Sequence, residues 1–331
     1  MVEIPSGLAG LLRMELMARN RLWARGRAHV ESYGSAPVVV YAPEGERHGN
    51  FFGPAYAAIL SRPEWRRRFD KVHTQAARSL PKAGRRWREL DSSMSSDALL
   101  MNIFCTPGVA DSAAVRGVLG IDGEGAPEFG WKARVPLGNG GFDRTEVDMR
   151  LGSLLVEAKL TEANFQNRAA RIVEGYRDFE EVFDRERLPR TAIATARVRR
   201  VSEDPENVSQ EFESELGDPE AQVAIDPVVR PPGEPGYASY QLIRNVLAAH
   251  ATGCSFCVLH DERRPDLRER WFQVMAAVRS AELRTRLKAL TWQELAALLP
   301  HELQEFLDLK YGIVAPGKSA TTTEPLQSDG I

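Results

Sequence analysis

In the stretch TEVDMRLGSLLVEAKLTE, residues 145–162, an aspartate, a glutamate and a lysine stand at spacings that a β-hairpin would bring together. With residues near 146–151 and 154–160 extended and Gly152-Ser153 as a two-residue turn, Leu151 faces Leu154, Arg150 faces Leu155, Met149 faces Val156 and Asp148 faces Glu157. Alternation along the strand puts Glu157 and Lys159 on one face and Leu154, Val156, Ala158 and Leu160 on the other, which goes into a core. Two carboxylates directly opposite each other repel, so a positive charge must compensate. A hard divalent cation, Mg²⁺ or Mn²⁺, meets that need, held by Asp148, Glu157 and the backbone carbonyl of Ala158. Lys159 then sits beside the attacking water, which completes the minimum equipment for metal-assisted phosphodiester hydrolysis. The plain alternative is a surface hairpin with an ion pair, which contributes about 0–1 kcal/mol. A second acid-x-lysine triplet, Asp308-Leu309-Lys310, lies in a segment that reads as a helix. The triplet alone is therefore cheap, and the apolar strand, the turn and the aspartate in register distinguish the first.

The constellation resembles the motif of the PD-(D/E)XK nuclease superfamily, although no proline precedes Asp148. The resemblance implies that Asp148 and Glu157 hold the metal and that Lys159 assists the attacking water. HGNFFGPAYAAILSRPEW, the KVH of Lys71 to His73, SSDALLMNIF, EAKLTE and YQLIRN, in that order over roughly residues 48–310, extend the likeness to a bacterial branch of restriction-endonuclease-like proteins. What this implies is an α/β fold, a restriction-endonuclease-like mixed β-sheet flanked by helices, with helical N-terminal and C-terminal additions. It also implies a further acid from an early helix, Glu89 or Asp97; Asp97 opens the SSDALLMNIF helix, where an acid otherwise serves the helix dipole. Gln166 would touch the scissile phosphate or be an exposed helix residue.

The elements that must position these residues are partly legible. Residues 7–25 have helical apolar spacing, APVVVYA reads as a strand, and 54–80 reads as two helical pieces broken at Pro63. Ser95 or Ser96 caps SSDALLMNIF. A Gly-rich passage ending in LGNGGFDRTE leads into the hairpin as a loop, and residues 162–184 read as a helix. A helix begins at Tyr240, Phe256 to Leu259 is a buried strand, and residues 266–289 are helical. Thr291 precedes a last helix running to about Leu309. On the Tyr240 helix, Tyr240, Gln241, Arg244 and Asn245 form a polar face, either a substrate surface with Arg244 clamping a phosphate or a buried structural network. These signals divide the chain into a helical, basic region over 1–90, a nuclease-like domain over 91–312 with an acidic insertion near 203–236, and a disordered tail over 313–331.

With 331 residues, 43% hydrophobic and 27% charged, the chain suits a soluble globular protein with ample core, and it has no apolar run of membrane-spanning length, so a cytoplasmic setting is expected. Net charge of −3 argues against a basic nucleic-acid coat. The charge is uneven, however. From Arg62 to Arg88 ten basic residues face two acids, with Trp65, Phe69 and Trp87 interleaved. That segment, including Arg66 and Arg67, would track a phosphate backbone and stack unpaired bases, or be a solvated helix face. Cys254-x-x-Cys257 lacks a second pair to complete a zinc site and reads as buried thiols rather than a redox or metal motif. No GxSxG elbow, HExxH, P-loop or GxGxxG after a strand supports another enzyme class. The sequence thus points to a metal-dependent nuclease acting on nucleic acid, DNA favoured over RNA and endonuclease favoured, in restriction, phage defence or repair, with a homodimer as one way to cut both strands. The alternative is a catalytically silent nuclease fold that binds nucleic acid or a protein partner.

Overall fold

The structure is a computed structural model that describes residues 7–32, 37–72, 88–122, 124–193 and 233–317. In chain order it begins with helix α1 (Leu8–Trp23), short strands β1 (His29–Glu31), β2 (Val39–Tyr41), β3 (Pro43–Glu44) and β4 (Arg47–His48), and helices α2 (Gly53–Ser61), α3 (Pro63–Phe69), α4 (Ser96–Phe104) and α5 (Ala113–Leu119). Then come β5 (Glu128–Pro136), β6 (Phe142–Leu151), β7 (Leu154–Ala158), β8 (Asn167–Ala169), α6 (Ala170–Val173), α7 (Phe179–Val182) and β9 (Arg190–Ile193). Last are β10 (Glu234–Ala238), α8 (Tyr240–Thr252), β11 (Ser255–His260), α9 (Pro265–Ala276), α10 (Ala281–Thr285), β12 (Leu287–Thr291), α11 (Trp292–Ala296) and α12 (His301–Tyr311).

Five strands make the central sheet in the order β12-β11-β7-β6-β5. β11 runs parallel to both β12 and β7, whereas β6 is antiparallel to β7 and β5. β7 and β11 read LLVEA and SFCVLH because helices cover both faces of the sheet at its centre. On one side Leu154, Val156, Ala158 and Leu160 pack with Met149 and Leu259 against Leu16 of α1, Leu99 of α4, Trp292 of α11 and Leu307 of α12. On the other, Leu155, Val147 and Val258 meet Leu242 and Val246 of α8 and Trp271 of α9. A smaller cluster ties α2 and α3 to α4 through Tyr56, Ile59, Trp65, Phe69 and Met101. The result is the expected α/β fold, a mixed sheet between helices, with helices at both ends of the chain.

Most sequence-based elements are present: α1, β2, α2 and α3 broken at Pro63, α8 and β11, although α3 ends at Phe69 and residues 73–80 of its expected span lie outside the described residues. Ser95 caps α4, its Oγ accepting from the Ala98 amide at 3.1 Å. The hairpin register next to the turn also holds, Leu151 with Leu154, Arg150 with Leu155 and Met149 with Val156. Five expectations need correction. The passage before the hairpin contains a nine-residue strand, β5, so the site lies on a three-stranded meander. Residues 162–184 are not one helix: Asn167–Ala169 pair with β10, and the main chain at Gly175 and Arg177 bonds to Gly138 and Pro136 across the β5–β6 turn. Their apolar spacing was real, since Val173, Tyr176, Phe179 and Val182 are buried, but tertiary pairing overrides local propensity. The helical span drawn over 266–289 ends earlier, because Leu287–Thr291 is the parallel edge strand β12. Thr291 does open a helix with a capping box to Glu294, yet that helix stops at Ala296 and a new one starts after Pro300, whose missing amide and fixed φ resist continuation. Glu234 to Gly236, at the end of the acidic insertion near 203–236, belong to strand β10; residues 203–232 of that insertion lie outside the described residues, as do residues 73–87 of the basic segment and 318–331 of the tail.

The hairpin turn depends on Gly152, which has φ +57° and where a Cβ would lie 2.9 Å from the Asp122 carbonyl oxygen. Gly152→Ala should destabilise the fold by about 1–3 kcal/mol, read as a lower urea midpoint with unchanged slope.

Candidate active site

β7 carries Glu157 and, one residue past its end, Lys159 into the layer between the sheet and α8. The paired register stops at Met149 and Val156, one step short of Asp148 and Glu157. Where the ladder opens, Asp148 Oδ2 accepts the Ala158 amide at 2.7 Å. Glu157 and Lys159 are buried, 2% and 5% exposed, so they do not form the surface ion pair of the plain alternative. Lys159 Nζ donates to Glu157 Oε1 at 2.7 Å, and Asn245 Nδ2 of α8 donates to Oε2 at 2.7 Å. Burial pushes the Lys159 ammonium toward deprotonation, but Glu157, Glu162 and Asp148 outweigh it and hold its pKa above the ordinary lysine value. Lys159 thus stands as a cation that donates to Glu157.

Asp148 is in the opposite position. Burial, then the charges of Glu157 and Asp97, push its carboxyl well above the usual carboxylate range, and Lys159 and the Ala158 amide only partly offset them. Asp97, in the first turn of α4, is near enough for its charge to act on Asp148, and its own carboxyl is also raised, mainly by burial. Glu89 is one step removed, pairing with Lys71 at 3.1 Å. Arg68 of α3 closes this side, bonding Asp97 Oδ2 through Nη2 and Glu146 Oε1 through Nη1 at 2.8 Å. Its approach requires Gly130, which sits in β5 at φ +62°; a Cβ there would be 3.0 Å from Arg68 Nη1. Asp97, Asp148 and Glu157 thus stand between two cations, Arg68, which also holds Glu146, on one flank and Lys159 on the other.

Further residues fix the strand exit. The Trp292 indole donates to the Lys159 carbonyl at 2.8 Å, and the Lys159 amide donates to Leu259 of β11 at 2.8 Å. Glu162 accepts from the Leu160 amide and from Ser96 Oγ, each at 2.7 Å, joining this loop to α4. Buried Arg264 donates to the Glu162 carbonyl at 2.9 Å and forks onto Asp266. The Lys159 ammonium lies 5.6 Å from the Phe165 ring centroid.

The other residues expected at a site are divided by the structure. Asn245 is buried and positions Glu157, while Tyr240 is buried and bonds Tyr176 through its hydroxyl at 2.9 Å. Gln241 and Arg244 are half-buried on the same helix. Gln166 is exposed but not helical; it holds a left-handed conformation at φ +59° in the loop before β8. Arg66 and Arg67 are exposed on α3, with Arg66 near Asp70 at 3.6 Å. Trp65 and Phe69 are core residues, 5% and 1% exposed, so they offer no stacking surface for bases; Trp87 lies outside the described residues. All three cysteines are free and buried, as expected, and burial pushes the Cys257 thiol up to about 12. The Asp308-Leu309-Lys310 triplet is indeed helical, its Lys310 buried and donating to Asn20 Oδ1 at 2.9 Å. Sequence reading passed over Arg68, Glu162, Arg264 and Gly130. A signal for Arg68 existed, since it stands three residues after Trp65 and so shares the inward side of α3.

Hard oxygen donors from Asp148 and Glu157, beside the main chain at Ala158, suit Mg²⁺ or Mn²⁺, which bind through one or two carboxylates and keep several waters. Burial raises the Asp148 pKa, the carboxylates of Glu157 and Asp97 add to it, and a cation held there would oppose that shift. Among the described residues no three His, Cys, Asp or Glu side chains stand in metal-holding geometry, so Asp97 would have to exchange Arg68 for a metal to join the pair. Among known protein families, residues 18–312 match REase-ARP, described as restriction endonuclease associating with ARP. No curated protein and no solved structure matches the chain.

Because Asp148 binds its proton more tightly folded than unfolded, the metal-free protein should lose stability as pH rises from the unfolded carboxylate value through the raised folded one. Asp148→Asn removes that loss and keeps an acceptor for the Ala158 amide. In urea titrations with chelator, the variant should be more stable than wild type at neutral pH by about 1 kcal/mol or more, with the gap closing toward pH ~4.

Proposed function

The chain belongs to this restriction-endonuclease family, and we propose that it is a metal-dependent nuclease of the PD-(D/E)XK type that hydrolyses phosphodiester bonds of DNA, acting as an endonuclease. The observation that carries this is the placement of Asp148 against the Ala158 amide with Glu157 and Lys159 buried beside it. Asp148, Glu157 and the Ala158 carbonyl would hold Mg²⁺ or Mn²⁺, with Asp97 as a further ligand. When bound, such an ion supplies an acidified water and neutralises charge on the phosphate.

The chain's own residues do the rest. Asn245 orients Glu157 so that its second oxygen meets Lys159. Lys159, held protonated, donates a hydrogen bond that aims the nucleophile and stabilises the charge developing on the phosphoryl oxygens. The two cores clamp β7 from both faces, which keeps these groups in place and limits water to the open edge of the site. With one site per chain, cutting both strands of a duplex takes a homodimer or two successive nicks. Restriction, phage defence and repair are the fitting settings, all of them cytoplasmic in a bacterium.

A second reading is favoured by one observation: both Glu157 oxygens are already taken, by Lys159 and Asn245. A fold that binds nucleic acid or a protein partner without cutting would keep that closed arrangement, and the family description itself names an association with ARP.

Cleavage of plasmid, linear duplex, single-stranded DNA and RNA in Mg²⁺ or Mn²⁺ separates the two. Wild type should cut DNA. Lys159→Ala should still bind Mn²⁺ by calorimetry and lose about 10²–10⁴-fold in rate, whereas Asp148→Ala should lose both. An Asp148→Ala protein that still cuts would overturn the site, and a wild type that binds DNA without cutting it would favour the second reading.

A further inference from the structure

Beyond Asp148 the two outer strands of the sheet run on as an arm that the candidate site does not use. β5 is the last strand of the sheet, and it pairs with β6 from Glu128 and Arg150 out to Pro136 and Phe142. Burial alternates along β6: Thr145, Val147, Met149 and Leu151 are buried, while Phe142, Arg144, Glu146 and Asp148 are less so. The same alternation on β5 buries Ala133 and Val135 and leaves Lys132 and Arg134 exposed. The more open positions of β6 thus lead from Asp148 outward through Arg144 to Phe142.

Among those positions two arginines stand directly opposite each other, since Arg134 is the ladder partner of Arg144. Side chains so paired start about 5 Å apart, and like charges there destabilise a ladder. Other charges on the same strands are matched: Arg150 meets Glu128 at 3.7 Å, and Glu146 takes Arg68 at 2.8 Å and Lys71 at 3.4 Å. Among the described residues Arg134 and Arg144 form no salt bridge, although both are exposed. Asp143, the acid next to Arg144, is engaged instead by the Tyr176 hydroxyl at 2.5 Å and the Thr145 hydroxyl at 2.8 Å. The Arg134 guanidinium lies 4.3 Å from the Phe142 ring centroid, and that residue is 48% exposed.

In a chain of net charge −3, an unmatched and open cationic pair beside an exposed aromatic ring suits a polyanion that carries planar groups. Arg144 is four residues along an extended strand from Asp148, about 13 Å. At about 3.4 Å of rise per nucleotide, that is on the order of four nucleotides of duplex. We infer that Arg134 and Arg144 grip the backbone phosphates of the substrate nucleic acid about four nucleotides from the bond cut at Asp148, with Phe142 against the sugar or base beyond them. The inference rests on the nuclease reading for the cut, though not for the arm as a nucleic-acid surface.

The test is anisotropy of a fluorescein-labelled DNA duplex bound by the full chain across a NaCl series in chelator, with plasmid cleavage in Mg²⁺ and thermal melting alongside. Arg134→Gln and Arg144→Gln should each weaken binding severalfold and flatten the logarithmic salt dependence by about 0.9, the loss of one phosphate contact. Arg284→Gln removes the same charge from α10, which leads into β12 at the opposite edge of the sheet, and should leave the salt dependence unchanged. Arg144→Glu sets an acid opposite Arg134, so the melting temperature should rise while DNA binding falls. An arginine that only braces the arm would do the reverse, lowering the melting temperature and leaving the salt dependence alone. Wild-type salt dependence in both glutamine variants of the arm, or an equal loss in Arg284→Gln, would overturn the inference; a wild type that still cuts would leave the nuclease reading standing. A wild type that binds DNA without cutting, with flattened arm variants, would keep the arm and remove the nuclease reading. A wild type that binds no DNA at any salt would remove both.

Discussion

Three carboxylates brought into a space that water barely reaches repel one another strongly, and a folded chain tolerates that only where cations are fixed nearby or a proton stays on. Asp97, Asp148 and Glu157 are so gathered, with Lys159 and Arg68 as the fixed cations. Asp148, which accepts a hydrogen bond from the Ala158 amide, meets this with a raised pKa, set first by its burial and then by the charges of Glu157 and Asp97. Positive charge brought beside Asp148 and Glu157 would act against both the burial and the like-charge causes of that shift.

Much of the surrounding fold serves to hold that grouping in place. β7 is buried on both faces, so neither acid nor lysine can swing out to water. Asn245 and Trp292 reach the strand from opposite layers, one at the Glu157 carboxylate and one at the Lys159 carbonyl. Gly130 gives up its side chain so that Arg68 can cross β5 to Glu146 and Asp97. The N-terminal helices are part of the same construction: α3 delivers Arg68, and α4 delivers Asp97.

The hairpin was legible because its determinants are local. A two-residue turn at Gly152-Ser153 sets the register, and alternation then assigns every face from Leu151 to Leu160. Asp97 was legible through the cap at Ser95, which fixes where α4 begins. Contacts between distant segments were not. Asn245 reads as one polar residue on an apolar helix until α8 is laid across β7, where it becomes the partner of Glu157. Strand β8 was lost in a helical pattern because its pairing partner, β10, lies more than sixty residues away. Gln166 followed the same error: its amide donates to Asn164 Oδ1 at 2.7 Å and its carbonyl accepts from the Tyr240 amide at 2.9 Å, which holds it in a turn rather than a helix.

The bond from the Trp292 indole to the Lys159 carbonyl has an optical consequence. Indole emission shifts with the electric field along the ring, and here the ring is enclosed, hydrogen-bonded and joined to the residue that carries the site's ammonium. Any change in charge at Asp148 or Glu157 alters the field at that carbonyl. Trp292, one of the chain's six tryptophans, thus couples indole emission to the ionic state of the pocket.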